Sequence, residues 1–233
     1  MNLDTAQMET RILVKILTTP TSDYNSVKII KDEILGLYVY GSKLWGTNNE
    51  NSDSDYAVVL SDTASVWKFY EKQYVQSESE DVDIHIMSES YYKNLVIECD
   101  EFGLSLFVQE YPLIKYETDI EYKDLSLQNL RKSFSSKANN SYVKAKKKLI
   151  DGEINIAYKS MYHSLRILDL GKDIATAIKE EGKIYDLTSY GENIEYIADL
   201  FEQQYENWDY IHKICKPLFN AYATEFRKMA PKA

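Results

Sequence analysis

Between Leu37 and Leu60 the chain reads Leu-Tyr-Val-Tyr-Gly-Ser-Lys-Leu-Trp-Gly-Thr-Asn-Asn-Glu-Asn-Ser-Asp-Ser-Asp-Tyr-Ala-Val-Val-Leu. Short apolar runs bounded by turn residues are buried strands, which predicts strands over Leu37–Tyr40 and Tyr56–Leu60. The first ends on Gly41-Ser42, Gly46 follows in a polar loop, and Asp53-Ser54-Asp55 leads directly into the second. A glycine closing a buried strand lets backbone amides approach a ligand that a Cβ would hold off. With a helix after it, those amides and the helix dipole favour phosphate. Ser42 adds a hydroxyl donor for a β- or γ-phosphate, and Lys43 a neighbouring cation. Alone, Gly41-Ser42 fits an ordinary strand-to-helix turn, and short motifs of this size often match by chance.

The aspartates change that weighing. Strand residues at i and i+2 share a face, so Asp53 and Asp55 present two carboxylates side by side. Their mutual repulsion calls for a positive tenant, and an all-oxygen site suits a hard cation such as Mg²⁺. Asp81 to Met87 alternates with period two, which puts Asp83 and His85 on one face and Val82, Ile84 and Ile86 on the other. Asp83 is thus a third carboxylate, and three can hold two magnesium ions about 3.5–4 Å apart for in-line displacement at phosphorus. In that scheme Asp83 accepts or organises the proton of the attacking hydroxyl. Two other motifs are excluded. Gly41-x4-Gly46 continues with Thr47-Asn48, without the P-loop lysine, and no EF-hand frame starting at Asn51 or Asp53 has the required glycine and glutamate.

With 233 residues, 44% hydrophobic and 27% charged, the chain is globular and large enough for one large or two small domains. A net charge of −10 argues against a surface that is a nucleic-acid footprint throughout, though not against a local basic groove. Cys99 and Cys215 form neither a disulfide framework nor a thiolate metal site. No apolar run approaches membrane-spanning length, so no membrane association is expected and the cytoplasm is the expected compartment.

Helical spacing predicts helices over Thr5–Leu17 and Ser22–Ile34, then over Thr63–Gln73 and Ser88–Cys99. Ser77 to Glu80 is read as a polar turn, Leu104–Val108 as a short apolar helix or extended run, and Leu113–Tyr116 as an edge strand. These elements predict an α+β fold: a mixed sheet packed with helices over residues 1–120, then an all-helical domain over 121–233. In the second part helices are expected over Leu125–Ile150, over Glu153–Leu170 stopped by Gly171, and over Lys172–Glu181 stopped by Gly182. Two more are expected over Glu192–Phe201 and Tyr205–Met229, the last kinked or divided at Pro217.

Val39-Tyr40-Gly41-Ser42, Gly46, Ser52-Asp53-Ser54-Asp55 and Val82-Asp83-Ile84-His85-Ile86 together resemble the signature of the DNA polymerase β-like nucleotidyltransferase superfamily. Tyr-Gly-Ser-x-x-x-Gly-Thr followed by Ser-Asp-x-Asp-Tyr is similar, more narrowly, to the predicted nucleotidyltransferases of bacteria and their phages. The resemblance spans about Leu37 to Met87. It implies an α/β palm, two-metal catalysis with Mg²⁺ or Mn²⁺, a nucleoside triphosphate as donor and pyrophosphate as leaving group. It does not name the acceptor. Lys43 and Trp45 depart from the narrower family, which often has a basic residue such as arginine and a tyrosine there. Those departures fall on nucleotide contacts and leave the metal set intact.

In the helical part, Lys159, Tyr162, His163 and Arg166 fall at i, i+3, i+4 and i+7, one polar helix face opposite Ala157, Met161, Leu165 and Leu168. Resemblance to the helix after the palm in similar enzymes makes Lys159, His163 and Arg166 candidate nucleotide contacts, with Gly41, Ser42 and Lys43. A purely solvated face accounts for the same pattern. Arg131 to Lys148 carries seven cations and no acid, with Lys137, Lys144 and Lys148 on one stripe. That stripe suits triphosphate or an anionic acceptor such as RNA, and favours an RNA 3′ end or a protein hydroxyl over a small acceptor. His85 shares Asp83's face, in a hydrogen-bonding or water-contacting role. Tyr91, Tyr92, Trp208 and Tyr210 are expected in core or rim. A catalytically silent nucleotide-binding sensor on the same fold is the alternative to an enzyme.

Overall fold

The computed structural model describes residues 31–48, 50, 52–68, 73–78, 82–180, 187, 194–204 and 207–232. The predicted helix Thr5–Leu17 lies outside them. The described residues form an α+β fold, a four-stranded mixed sheet followed by a helical C-terminal part.

The strands are β1 (Ile34–Tyr40), β2 (Ser54–Leu60), β3 (Tyr74–Glu78) and β4 (Val82–Ser88), in the spatial order β1-β2-β4-β3. β2 pairs antiparallel with β1 and parallel with β4, and β3 pairs antiparallel with β4. Period-two alternation gives the sheet two apolar faces. Tyr38, Ala57, Val59 and Met87 join the large core under the helices, while Leu37, Tyr56, Val58, Leu60 and Ile84 pack on the other side with Ala64 and Val66. Asp55 and Asp83 have the parity of Ala57, Val59 and Met87, so the carboxylates rise from the helix-covered face.

Short helices follow the strands: α1 (Gly41–Leu44), α2 (Glu89–Ile97) and α3 (Glu101–Phe107). Ser88 caps α2 by accepting from the Tyr91 amide, and Asp100 caps α3 by accepting from the Phe102 amide. The helical part holds α4 (Leu127–Ile150), α5 (Ile154–Glu180), α6 (Ile194–Gln203) and α7 (Trp208–Met229). One apolar core runs from Tyr38 and Tyr92 through Leu130, Phe134 and Leu168 to Phe219 and Phe226.

Several expectations need correction. Gly171 does not stop a helix: α5 runs straight through it, absorbing the helix expected over Lys172–Glu181 as far as Glu180. A Cβ there would lie 2.8 Å from Phe134 Cδ1 and 3.0 Å from Phe226 Cε2, so the glycine is a packing device between α4, α5 and α7. Pro217 does not divide α7. It sits on the exposed side of the helix. Ser77 and Glu78 belong to β3 rather than to a turn. This short, polar edge strand lacks the apolar alternation that marks buried ones.

The predicted helix Ser22–Ile34 is overturned at its end, where Lys31–Glu33 is a single 3-10 turn and Ile34 opens β1; residues 22–30 lie outside the described set. Thr63–Gln73 contributes a 3-10 turn, Ser65–Lys68, with residues 69–72 outside. Leu113–Tyr116 is no strand but a single bridge, in which Leu37 and Ile114 exchange hydrogen bonds of 2.8 and 2.9 Å. The stop expected at Gly182 and the starts at 192–193 and 205–206 lie outside the described residues.

Candidate functional site

Sheet register brings the acidic residues together. Asp55 sits opposite Tyr40 on β1 and opposite Asp83 on the parallel neighbour β4, and Asp53 lies one residue before β2 begins. Asp53, Asp55 and Asp83 each offer a carboxylate oxygen within 4.8 Å of the others'. Asp53 is exposed and the other two are half-buried. Burial, with repulsion from Asp53 and Asp83, pushes the Asp55 carboxyl up to about 6, against the opposing pull of Lys43. A bound cation would relieve that repulsion, and three carboxylates form the hard-oxygen donor set that divalent cations take. The triad can therefore hold a metal ion.

Gly41 has a specific reason to be glycine. Its φ is +62°, and a Cβ there would fall 1.7 Å from Asp55 Oδ2. The left-handed turn gives Asp55 the space its carboxylate occupies, a tighter demand than the ligand approach the motif suggested. α1 is only one turn long, so it supplies no full helix dipole. The loop closes on itself, with Ser42 O accepting from the Thr47 amide at 2.9 Å. Ser42 Oγ is buried and makes no hydrogen bond among the described residues. Lys43 turns back toward the aspartates, its Nζ donating to Ser54 Oγ at 2.6 Å.

Beside the triad lies a cavity of about 370 Å³. Gly41, Ser42 and Trp45 form its sheet-side wall; Ser141 and Lys144 of α4 and Lys159, His163 and Arg166 of α5 form the other. Five of the six candidate nucleotide contacts thus line one space. Lys43 does not, and neither do the three aspartates. Among the described residues no carboxylate lines the cavity, and Lys144 and Lys159 are exposed cations without an ion-pair partner.

Arg166 is the least exposed of the candidates, at 3%. Its Nη2 donates to Glu101 Oε1 and to His163 Nδ1, both at 2.7 Å, and its guanidinium lies 3.6 Å above the Trp45 ring. Glu101 is fully buried, with Lys137 Nζ at 3.9 Å from its second oxygen. Burial alone would push this carboxyl up, but chiefly the Arg166 guanidinium beside it holds it down at about 2. Burial, then the Arg166 charge, push His163 down to about 3.

Glu101 escaped the sequence reading. Its signal is an acid heading the apolar run Phe102 to Val108, but its partner lies sixty-five residues away. Lys144 was legible only as part of a stripe, and the structure divides that stripe. Lys137 goes to Glu101, Lys144 to the cavity, and Lys148 to Glu153 at 2.6 Å. Arg131 instead caps α7, donating to Ala230 O at 2.8 Å. His85, on Asp83's face, shares a 2.7 Å hydrogen bond with the Tyr74 hydroxyl. Tyr92 is core, whereas Tyr91, Trp208 and Tyr210 lie at the rim. No helix of the described residues is long and apolar enough to cross a membrane.

Compared with protein-family models and with curated proteins, the sequence matches none. Among solved structures it is similar to a nucleotidyltransferase-like protein from Exiguobacterium sibiricum 255-15, at 11% identity and a TM-score of 0.31, over 96% of this chain and 75% of that one.

Proposed function

We propose that the chain is a divalent-metal-dependent nucleotidyltransferase, moving a nucleoside monophosphate from a triphosphate to an acceptor hydroxyl. The observation that carries this reading is the convergence of Asp53, Asp55 and Asp83 within 4.8 Å, beside a cavity to which Lys144 and Lys159 contribute. In the reaction an acceptor oxygen forms a bond to the α-phosphorus, the bond to the bridging oxygen breaks, and pyrophosphate leaves. The hydroxyl proton passes to the carboxylate cluster, where Asp83 takes or orients it.

Mg²⁺ or Mn²⁺, held by the three aspartates, would neutralise phosphate charge and acidify the attacking hydroxyl. The chain's own task is to bind and orient the donor. Lys144 and Lys159 face the polyphosphate across the cavity, and Gly41 keeps Asp55 in place. The acid-free stretch Arg131–Lys148 supports an RNA 3′ end or a protein hydroxyl as acceptor. That the carboxylates lie outside the cavity lining favours a second reading, a nucleotide sensor that binds without turnover.

The test is transfer from α-labelled ATP, CTP, GTP and UTP into a total lysate with Mg²⁺ or Mn²⁺, followed by nuclease or protease digestion. We expect labelled product sensitive to one of the two digestions, and a loss of at least about a hundredfold in Asp53→Asn and Asp55→Asn. Tight triphosphate binding with no label transferred under any condition would replace the enzyme by the sensor.

A further inference from the structure

One wall of the cavity contains a buried group of side chains that donor binding leaves without a task. Arg166 reaches Glu101 and His163 through the same nitrogen at 2.7 Å, and its guanidinium is stacked on Trp45. A guanidinium only donates, so His163 Nδ1 must accept. An imidazole that accepts at Nδ1 carries its single proton on Nε2, whereas an imidazolium has no lone pair to offer. The charges facing His163 are Arg166 on its own helix, Glu101 from α3, and Lys137 and Lys144 from α4. Three cations oppose one carboxylate, and that carboxylate is already engaged by Arg166. His163 lines the cavity, and no hydrogen bond of its Nε2 is found among the described residues.

We infer that the Glu101–Arg166 pair locks the tautomer of His163, so that the ring meets the cavity's occupant as a neutral Nε2–H donor rather than as a cation beside Lys144 and Lys159. The occupant, though not the lock, rests on the nucleotide reading: Nε2–H donates to an oxygen of the triphosphate, whose charge the two lysines balance. Arg166 is on this account a positioning residue. It acts through His163, and it steadies the Gly41–Thr47 loop through Trp45. The contact keeps its strength across neutral pH, where a free histidine would gain or lose a charge.

Ring-nitrogen NMR of the ¹⁵N-labelled 233-residue chain without nucleotide tests the lock directly, with His163→Gln identifying the signal. His163 should show the neutral Nε2–H pattern and no titration between about pH 5 and 8. An imidazolium or an Nδ1–H form in that window would overturn the inference. Replacing the guanidinium in Arg166→Met removes one of the charges that depress the ring and leaves Glu101 free to pair with it, so its titration should move upward from the wild-type value, with burial, Lys137 and Lys144 still opposing. If that variant does not fold, the wild-type spectrum still decides.

Calorimetry with Mg²⁺ complexes of ATP, CTP, GTP and UTP tests the donor role. Glutamine can accept from Arg166 and still offer an N–H, so His163→Gln should bind within about twofold of wild type, and His163→Ala about five- to tenfold more weakly. Equal losses in both variants would overturn the donor role. Failure of the wild type to bind any triphosphate would sink the nucleotide reading instead, leaving the lock to the spectrum.

Discussion

Gly41 and Glu101 are the residues whose replacement most directly tests the site. Gly41→Ala puts a Cβ into the Asp55 carboxylate at a backbone conformation that L side chains rarely adopt. We expect about 1–3 kcal/mol of lost stability and markedly weaker Mn²⁺ binding, read by denaturation and by calorimetry. Wild-type metal affinity in this variant would show that Asp55 does not need the space. Glu101 has its folded-state value depressed from an ordinary 4.5 to about 2. The sign follows: its contribution is fully present above about pH 4.5 and is lost as the pH falls from there toward 2. Glu101→Gln leaves Arg166 buried without its counter-charge, at a cost of about 3–5 kcal/mol. The acid limb of the stability profile should flatten with it, and an unchanged limb in urea titrations between pH 2 and 5 would count against the assignment. Asp53 and Asp55 were legible because two carboxylates at i and i+2 repel unless a cation sits between them, whereas Gly41 was legible as a turn but not as the space for Asp55. Glu101 was not, because a buried acid is understood only through its partner.

At the scale of elements, α5 is the support of the cavity wall and Gly171 its critical position. Alanine would ordinarily strengthen a helix by about 0.8–1 kcal/mol over glycine. Here the added Cβ meets Phe134 and Phe226 at 2.8 and 3.0 Å, two rings fixed between helices. Overpacking costs about 1–3 kcal/mol, so Gly171→Ala should be net destabilising by about 1–2 kcal/mol in denaturant titrations. A stabilised variant would mean that the rings can shift. Read locally, this glycine was a helix stop, since nothing in the sequence shows two aromatic rings arriving from α4 and α7. The helical spacing of α4 and the alternation of β4 were legible because their periods match their burial. β3 was not, because a polar edge strand is defined by the neighbour whose edge it covers.

Over the whole molecule the charge of −10 conceals a local reversal. The cavity is cationic because α4, which has no acid, and α5, whose acids Asp169, Asp173 and Glu180 lie elsewhere, each turn a lysine toward it. Lys144→Ala and Lys159→Ala should each weaken binding of a Mg²⁺–triphosphate complex about three- to tenfold and reduce its salt dependence, leaving unfolding free energy nearly unchanged. Loss of stability without loss of affinity would make these lysines structural. By itself the sequence determined the strands on which Asp55 and Asp83 lie, the glycine turn beside them and the helical character of the second part, because each follows from local period and backbone sterics. Only the tertiary structure decided which cations reach the cavity, that Arg166 is spent on Glu101, and that His163 is held neutral. Those outcomes depend on contacts between residues far apart in the chain, and the energy of a buried charge is set by what lies within a few ångströms of it.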